Sequence, residues 1–321
     1  MILILSDQYD VHADKVISEL NQMNASYYRL NLDVESLCKT IITYDLDNNN
    51  WKINNGVSEI NSSEISCVWL RRPFVELTLE EAHEQDVQFR IWKNEWNKTL
   101  LGLYLDLKNI KWMNNIQKTY QAENKYLQMK LARKIGFSFP KTLISNAKEE
   151  IIKFAEQNEK IVLKLMAQEF YKTEDQQYKG IYVNLVTLDD LQEFNLHSEN
   201  PIVLQEYIEK KYEARYMYVG GEHFVCKIDS QKSSVANIDW RRYDIANTPH
   251  SVIEPPLEIS EKVNQLMKEL NLEYAALDFI IDPTDKWYFL EVNSMGQWLW
   301  IEDLTGLKIS KSIAKWLVNN S

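Results

Sequence analysis

The residues best suited to chemistry lie in one late stretch, residues 274–302, which reads YAALDFIIDPTDKWYFLEVNSMGQWLWIE. Two runs rich in apolar and aromatic residues flank the turn formers of residues 282–285, and this pattern predicts a β-hairpin. If those four residues form the loop, Ile281 faces Lys286, and the pairing of every other residue in the hairpin follows from that contact.

Three oxygen-bearing side chains fall on one side of this predicted hairpin. Asp278 faces Phe289, and Glu291 and Asn293 share that side because side chains alternate along a strand. Two carboxylates this close repel each other unless a cation lies between them. Oxygen ligands suit Mg²⁺ that carries the phosphates of a nucleotide. The alternative is a solvated face that is acidic by chance, since a one-residue slip of the turn would separate the groups.

Composition narrows the class of protein. A length of 321 residues predicts two or three domains, and a net charge of −11 argues against a general binder of nucleic acid or of anionic membranes. The three cysteines are scattered and form no CxxC pair, which predicts a reducing, cytoplasmic location without a disulfide framework or zinc site. The first ten residues predict a strand rather than a signal peptide, and no apolar run approaches the ~20 residues that span a bilayer.

The N-terminal residues predict an α/β arrangement. Residues 1–72 alternate predicted strands and helices, and a buried strand at residues 67–70 ends at Arg71 and Arg72. Sheets of this kind bind ligands at the carboxyl ends of their strands, so the two arginines are candidate substrate-binding residues. The alternative is a pair of structural salt bridges. Residues 79–105 are predicted to form one long helix.

The middle of the chain adds candidate cations. A helix is predicted over residues 117–136, and Lys164 lies within an apolar strand pattern. A buried ammonium group needs an anionic partner, which a nucleotide phosphate would supply; the alternative is a lysine that points outward from a surface strand. Residues 167–180 predict a polar flap in which Lys172 and Lys179 could add charge near a substrate.

Several common nucleotide and hydrolase motifs are missing. The sequence has no GxxxxGK[ST], no GxGxxG and no GxSxG, so a P-loop, a dinucleotide-binding turn and a nucleophile elbow are poorly supported. The carboxylate pair, the basic residues on predicted strands and the strand edge at residues 205–208 favour a nucleotide held between two sheets. Its adenine would bond to strand backbone near that edge.

The order of these residues resembles the ATP-grasp superfamily, and in particular the branch that contains ribosomal-protein glutamate ligases. The matching positions, in order, are Lys125, Lys164, Gln205-Glu206-Tyr207-Ile208, Glu213-Ala214-Arg215, Asp278 and Glu291-Val292-Asn293. Two further segments, VWLRRP at residues 68–73 and GQWLWIE at residues 296–302, resemble the ATP-grasp peptide maturases of the microviridin (graspetide) type, including the grasp-with-spasm group. The resemblance covers nearly the whole chain.

The resemblance implies a fold and a domain plan. It implies an α/β (α+β) ATP-grasp fold preceded by a Rossmann-like pre-ATP-grasp domain. That domain would occupy residues 1–115. A central ATP-grasp subdomain, which contains the flap, would occupy residues 116–200. A C-terminal subdomain, which contains the metal site, would occupy residues 201–321. Relatives also imply a homodimer.

The resemblance also implies roles for the candidate residues. Lys125 and Lys164 would hold the α- and β-phosphates of ATP, and Glu213 would bind the ribose. The adenine slot would be formed by Gln205, Glu206, Tyr207 and Ile208. Mg²⁺ would be bound by Asp278, Glu291 and Asn293. Charge on the transferred phosphoryl group would be neutralised by Arg215 with Arg241 or Arg242.

The flap departs from the family pattern. Many ATP-grasp proteins cover the triphosphate with a glycine-rich loop, but this flap has only Gly180. The alternative is that the segment binds the leader of a precursor peptide.

The implied reaction has two steps. A Glu or Asp side chain of a precursor peptide attacks the γ-phosphate of ATP, which gives an acyl phosphate and ADP. A Thr or Ser hydroxyl, or a Lys amine, of the same peptide then displaces phosphate and closes a lactone or lactam. Positioning and charge neutralisation dominate such phosphoryl transfers. An acidic peptide core would also explain why an acidic protein keeps paired arginines.

Two other functions fit the same residues. One is a carboxylate–amine ligase that adds an amino acid to a protein tail or small molecule, and the other is a non-catalytic ATP-binding protein. Loss of water from a peptide indicates crosslinking, whereas a gain in mass indicates addition. Retention of both Asp278 and Glu291 argues against a protein that only binds ATP.

Overall fold

The structure is a computed structural model that describes residues 1–83, 85–166, 170–172, 178–180, 183–193, 200–234, 238, 240 and 244–321. The side chains of residues 170–172, 178–180 and 193 lie outside that description. None of the described helices combines the length and the apolar character needed to cross a membrane.

The N-terminal part of the chain forms a parallel sheet with helices and a small antiparallel sheet beside it. Its elements are β1 (Ile2–Ser6), α1 (Val11–Gln22), β2 (Tyr27–Asn31), α2 (Val34–Leu37), β3 (Ile41–Asp45), β4 (Asn50–Asn54), β5 (Glu59–Asn61), β6 (Cys67–Leu70), α3 (Leu79–His83), α4 (Val87–Asp106) and β7 (Lys111–Met113). The parallel sheet has the order β2-β1-β6-β7, and β3-β4-β5 form the antiparallel one. The apolar runs of β1 and β6 are fully buried, as expected for parallel strands covered on both faces.

The middle of the chain forms a second, smaller sheet. Its elements are α5 (Ile116–Ala122), α6 (Lys125–Ile135), β8 (Thr142–Ser145), α7 (Lys148–Glu156), β9 (Ile161–Lys164), β10 (Phe170–Lys172), β11 (Tyr178–Gly180), β12 (Asn184–Val186), α8 (Leu188–Glu193) and β13 (Ile202–Glu206). The sheet has the order β12-β9-β13-β8, and β10 pairs with β11. Lys164 is the last residue of β9, so it lies at the strand end rather than in its middle.

The last part of the chain forms a five-stranded antiparallel sheet. Its elements are β14 (Tyr212–Val219), β15 (Glu222–Ile228), β16 (His250–Val252), α9 (Leu257–Leu270), β17 (Tyr274–Ile281), β18 (Trp287–Asn293), α10 (Leu299–Thr305) and α11 (Ile309–Asn319). The sheet has the order β16-β15-β14-β17-β18. Helix α9 covers one face through apolar residues that include Val263 and Leu266.

Each helix that was predicted to be long is interrupted. Residues 79–105 form α3 and α4, because Asp86 accepts a hydrogen bond from the amide of Phe89 and caps a new helix. Residues 117–136 form α5 and α6, because Asn124 caps α6 in the same way. The single helices predicted there are therefore wrong. The predicted end at Gly136 is confirmed, since this residue is left-handed with a φ of 90°.

The predicted register of the late hairpin is also wrong by a small amount. Phe279 pairs with Phe289, and a bulge between Asp278 and Phe279 then places Asp278 directly opposite Glu291. The bulge uses Leu290 as the extra residue, so Leu290 turns away from the apolar face that contains Phe289. The prediction that the two acids converge is therefore confirmed, by a pairing closer than the one expected.

A buried polar cluster joins the N-terminal sheet to the end of the chain. Arg71 lies 3.1 Å from Asp10 in an ion pair whose side chains are 2% and 1% exposed. The guanidinium of Arg71 also lies 5.0 Å from the ring centroid of Trp298, and His12 meets the same ring edge-on at 4.4 Å. Burial and the charge of Arg71 lower the pKa of His12 to about 4.

We expect this cluster to make the fold sensitive to mild acid. A histidine whose pKa is lowered on folding is protonated first in the unfolded chain, so stability is full above pH 6.5 and falls between pH 6.5 and about 4. The loss is about 3 kcal/mol in the free energy of unfolding. Urea titrations across that range should show a shallower fall for His12→Gln, and an equal fall in both proteins would contradict the assignment.

Candidate active site

A cleft lies between the small sheet and the five-stranded sheet. Eight of the residues predicted to bind nucleotide or metal line it: Lys164, Gln205, Glu206, Tyr207, Ile208, Glu213, Asp278 and Glu291. They come from the end of β9, the end of β13, and the facing strands β14, β17 and β18.

The two acids opposite each other in β17 and β18 are each matched by a cation. Nη1 of Arg215 lies 3.0 Å from both carboxylate oxygens of Asp278. Nζ of Lys125 lies 2.9 Å from Glu291, and the amide of Asn293 donates to Glu291 at 3.2 Å. The repulsion expected between the carboxylates is thus offset by the protein's own cations.

The oxygen atoms of Asp278, Glu291 and Asn293 could bind a magnesium ion whose remaining ligands are waters and substrate phosphates. Within the part of the chain that the structure describes, no group of three or more His, Cys, Asp or Glu side chains could hold a metal. Mg²⁺ is commonly bound by one or two carboxylates together with waters and substrate phosphates. Asp278, Glu291 and the amide oxygen of Asn293 match that donor set, and magnesium stays a prediction.

The strand edge at the end of β13 contains an unsatisfied buried acceptor. Gln205 is 6% exposed, its Nε2 donates to Thr142 at 2.9 Å, and its Oε1 has no hydrogen-bond partner among the described residues. An unmet buried acceptor costs about 1–3 kcal/mol, which a ligand N–H would recover. Burial raises the pKa of Tyr207, so the phenol stays neutral. These features fit the adenine slot that was predicted for this edge.

A buried pair on the other wall includes a lysine that the sequence did not reveal. Lys210 lies 2.8 Å from Glu213, and both side chains are less than a tenth exposed. Lys210 also donates to the carbonyl of Ile238. Residues three apart within one strand point to opposite faces. Lys210 precedes β14, which begins at Tyr212, so its side chain can still turn toward Glu213. The spacing alone gave no signal for it.

Arg215 is buried beside Asp278 and is not among the described residues that line the cleft. Its side chain is 7% exposed, and its Nε has no hydrogen-bond partner in the described ranges. Its predicted role toward the transferred phosphoryl group stays a prediction. Arg241 and Arg242, the other predicted phosphoryl ligands, lie outside the described residues.

The basic residues predicted to bind substrate take different positions. Arg71 is buried in the cluster with Asp10, which matches the structural salt bridge given as its alternative. Arg72 is 36% exposed and pairs with Asp7 at 3.1 Å. Lys172 and Lys179 lie on β10 and β11, and their side chains are outside the described set.

The loop that follows Asn293 is fixed through four consecutive backbone carbonyls. Each accepts a hydrogen bond from a different side chain: Asn114 to Ser294 at 3.0 Å, Arg71 to Met295 at 2.9 Å, Tyr274 to Gly296 at 2.6 Å and Arg215 to Gln297 at 3.1 Å. Two donors come from the N-terminal part of the chain and two from β14 and β17. Arg71 therefore positions the loop that touches Arg215.

Comparison with known families agrees with this geometry. Residues 1–120 match the MvdD pre-ATP grasp domain, and residues 122–317 match the RimK-like ATP-grasp domain. The chain belongs to the RimK-like ATP-grasp family. The predicted superfamily and the predicted α/β ATP-grasp fold class are confirmed.

Solved structures of individual ATP-grasp ligases are similar to this chain over its whole length. The RiPP-associated ATP-grasp ligase of Chryseobacterium gregarium, in complex with ADP and a leader and core peptide, is 28% identical, with a TM-score of 0.90 and coverage of 100% of this chain and 97% of that chain. The macrocyclase MdnC of Microcystis aeruginosa MRC, bound with precursor peptide MdnA, is 29% identical, with a TM-score of 0.87 and full coverage of both chains.

The macrocyclase MdnB of Microcystis aeruginosa MRC is similar as well. It is 28% identical, with a TM-score of 0.80 and coverage of 99% of this chain and 98% of that chain. A comparison with curated proteins finds no match. The predicted resemblance to ATP-grasp peptide maturases is confirmed, and the chain is an ATP-grasp ligase.

We expect Gly296→Ala to disturb the carbonyl-bonded loop. A Cβ there would lie 2.4 Å from Cβ of Ala276 and 3.3 Å from Cβ of Asn293, and both atoms are fixed to strand backbone. Overpacking of this kind costs about 1–3 kcal/mol in the free energy of unfolding. Gly102→Ala is the matched control, because its nearest contact is an ordinary 3.5 Å to Trp51. Equal denaturation midpoints for both variants would contradict the close packing.

Proposed function

We propose that this chain is an ADP-forming ligase that closes rings in a ribosomal precursor peptide. It activates Glu or Asp side chains as acyl phosphates and links them to Thr or Ser hydroxyls or to Lys amines. The observation that carries the proposal is the opposed Asp278–Glu291 pair at a cleft, with Arg215 and Lys125 on the two acids. The likeness to peptide-bound maturases over the full chain supports a peptide as the substrate.

ATP would lie in the cleft between the two sheets. Its adenine would take the edge at Gln205 to Ile208, its ribose would lie near Glu213, and Lys164 would bind phosphate oxygens. Magnesium, held by Asp278, Glu291 and Asn293, would supply positive charge to the phosphates. The orphaned Oε1 of Gln205 supports a ligand donor at this edge.

The protein's own cations explain how the site could work without a strong nucleophile. The attacking carboxylate belongs to the peptide, so the enzyme has to hold two anions together and stabilise the charge that develops between them. Arg215 would balance charge from its position beside Asp278, and Lys125 would move from Glu291 to a phosphate oxygen once another cation holds Glu291.

The remaining parts of the proposal concern assembly and organisation. We include Mg²⁺ as the cofactor, a precursor with a leader and an acidic core as the partner, a homodimer as the assembly and the cytoplasm as the location. Residues 1–115, 116–200 and 201–321 would be the pre-ATP-grasp domain and the two ATP-grasp subdomains. Arg241, Arg242, Lys172 and Lys179 are kept as candidate contacts to phosphate or peptide.

The direct test uses the purified chain with ATP, Mg²⁺ and short acidic peptides that contain Thr together with Glu or Asp. Mass spectrometry should show a loss of about 18 Da for each ring formed, with one ADP released per ring, as acyl-phosphate chemistry requires. A gain in peptide mass would indicate that the chain adds an amino acid. ADP release that stays at background with every acidic peptide tried would leave only a nucleotide-binding role.

Glu291→Gln should reduce ring closure by about a hundredfold or more, because a neutral amide is a poorer metal ligand and no longer matches Lys125. The substitution keeps the side-chain shape at a position that is 26% exposed, so the unfolding midpoint should change little. Glu258→Gln, which removes an exposed acid paired with Lys262 on α9, is the control and should turn over normally. Normal turnover by Glu291→Gln would refute the metal assignment.

A further inference from the structure

The outer edge of β18 is covered by side chains and a loop carbonyl from the region around α6. β18 is last in the order β16-β15-β14-β17-β18, so its far edge faces no further strand of that sheet in the part of the chain that the structure describes. Buried backbone groups on such an edge need partners. Ser294 donates through its amide and its hydroxyl to Glu123, at 2.8 and 2.6 Å. The amide of Phe289 donates to the carbonyl of Ser138 at 2.8 Å.

Gln128 covers the middle of this edge with its carboxamide. The residue is 1% exposed. Its Oε1 accepts from the amide of Val292 at 3.0 Å, and its Nε2 donates to the carbonyl of Val292 at 2.7 Å. Nε2 also donates to the carbonyl of Ala122 at 2.7 Å, so both of its N–H groups are used. The carboxamide thus makes the same pair of bonds to Val292 that a neighbouring antiparallel strand would make.

Val292 separates two residues that are expected to bind metal. Glu291 and Asn293 flank it in β18, and Val292 itself is fully buried in the core. Because side chains alternate along a strand, the two flanking side chains point to the opposite face, where Glu291 lines the cleft. Leu277 of β17 pairs with Val292 on the inner edge. β18 is therefore held from both edges at Val292, and this fixes the direction of the side chains before and after it.

The helix that carries Gln128 also carries the cation paired with Glu291. Lys125 is the first residue of α6, and Gln128 follows three residues later, so the two side chains lie on the same side of the helix. Nζ of Lys125 lies 2.9 Å from Glu291. A slide of α6 by one residue along its axis would move Lys125 by about 1.5 Å, enough to break that ion pair. The bonds from Gln128 to Val292 oppose such a slide.

We propose that Gln128 is a positioning residue for the metal-bound nucleotide. Its carboxamide holds Glu291, Asn293 and Lys125 in the relative positions that magnesium and the phosphates need. The inference rests on the proposed function and deepens it, because it assigns a role in that site to a side chain outside it. Gln128 is not among the described residues that line the cleft, so it acts through Val292 and α6.

A purely structural cover for the strand edge makes a different prediction. If Gln128 only shielded the backbone of Val292, its loss would lower the free energy of unfolding and leave the folded protein with normal affinity for magnesium. If it positions the metal ligands, the folded protein itself binds magnesium more weakly, because ligands that are not pre-arranged have to be ordered on binding.

The test measures binding of ADP to the full-length protein by titration calorimetry, once with excess Mg²⁺ and once with EDTA. The ratio of the two affinities is the Mg²⁺ effect, and Mg²⁺ should tighten ADP binding in the wild type. Gln128→Met keeps the length of the side chain and removes its three hydrogen bonds. We expect it to reduce the Mg²⁺ effect about fivefold to tenfold, the size of one hydrogen bond, while ADP affinity in EDTA stays within about twofold.

Gln128→Glu is the conservative variant and adds a pH-dependent readout. The introduced carboxyl has the same shape, but its charged form offers no donor to the carbonyls of Ala122 and Val292. Burial against two carbonyls favours the protonated form, which restores one donor and keeps an acceptor for the amide of Val292. Its Mg²⁺ effect, divided by that of the wild type, should therefore recover as the pH falls from about 8 to about 6. The same quotient should stay constant in Gln128→Met.

The matched control is Gln121→Met, which makes the same chemical change at an exposed position on α5. It should show the Mg²⁺ effect of the wild type. Urea midpoints measured for each variant ensure that the affinities refer to folded protein. Ring closure is measured beside binding, with short acidic peptides that contain Thr together with Glu or Asp. In Gln128→Met the Mg²⁺ concentration for half-maximal rate should rise about fivefold to tenfold, with the KM for peptide within about twofold.

The outcomes are distinct. Ring closure by the wild type, with an unchanged Mg²⁺ effect in Gln128→Met and Gln128→Glu, would overturn the positioning role while the proposed function stands. Lower stability without a change in the Mg²⁺ effect would overturn it as well. If no ring closes with any peptide, the proposed function fails, and the ADP titrations still decide the role of Gln128. ADP binding that does not respond to Mg²⁺ in the wild type would overturn both.

Discussion

The pairing of two carboxylates on adjacent strands is the constraint around which the C-terminal part of this protein is built. Asp278 and Glu291 lie directly opposite each other, so each needs a nearby cation while no other ion is bound. Arg215 and Lys125 fill that need from β14 and from the first turn of α6. Buried ion pairs add little to stability on their own. These two pairs instead hold cations and acids in fixed positions at the site where the phosphates of ATP would bind.

The N-terminal part of the chain completes this arrangement rather than standing apart from it. Asn114 and Arg71 bind carbonyls of the loop after Asn293, while Tyr274 and Arg215 bind the next carbonyls from the opposite side. The loop is thereby fixed between two parts of the chain. Because Arg215 contacts both this loop and Asp278, packing at the N-terminal sheet bears directly on the position of the charged groups in the cleft.

Much of this could be predicted from residue order, and the misses have physical causes. The acids, Lys164 and the β13 edge were found because their types and spacing carry chemistry. The register was misjudged because Ile281 pairs with Trp287, so that the turn is one residue longer than predicted, and because a bulge leaves no mark in a period-2 pattern. The two long helices were wrongly predicted because the polar residues Asp86 and Asn124 were not recognised as the N-caps of new helices. Lys210 was missed because its burial and its bond to the carbonyl of Ile238 depend on a contact between distant segments, which no local pattern encodes.

The bulge at Leu290 has a consequence for how the length of this hairpin can vary. Residues can be added or removed at the tip, around Asp282, without changing which side of β18 carries Glu291, provided that the strands below re-form the same pairs. A single insertion or deletion between Trp287 and Glu291 would instead rotate the acid out of the cleft and return an apolar side chain in its place. Natural variants of this enzyme should therefore tolerate length changes at the hairpin tip and exclude them within the few residues before the second acid.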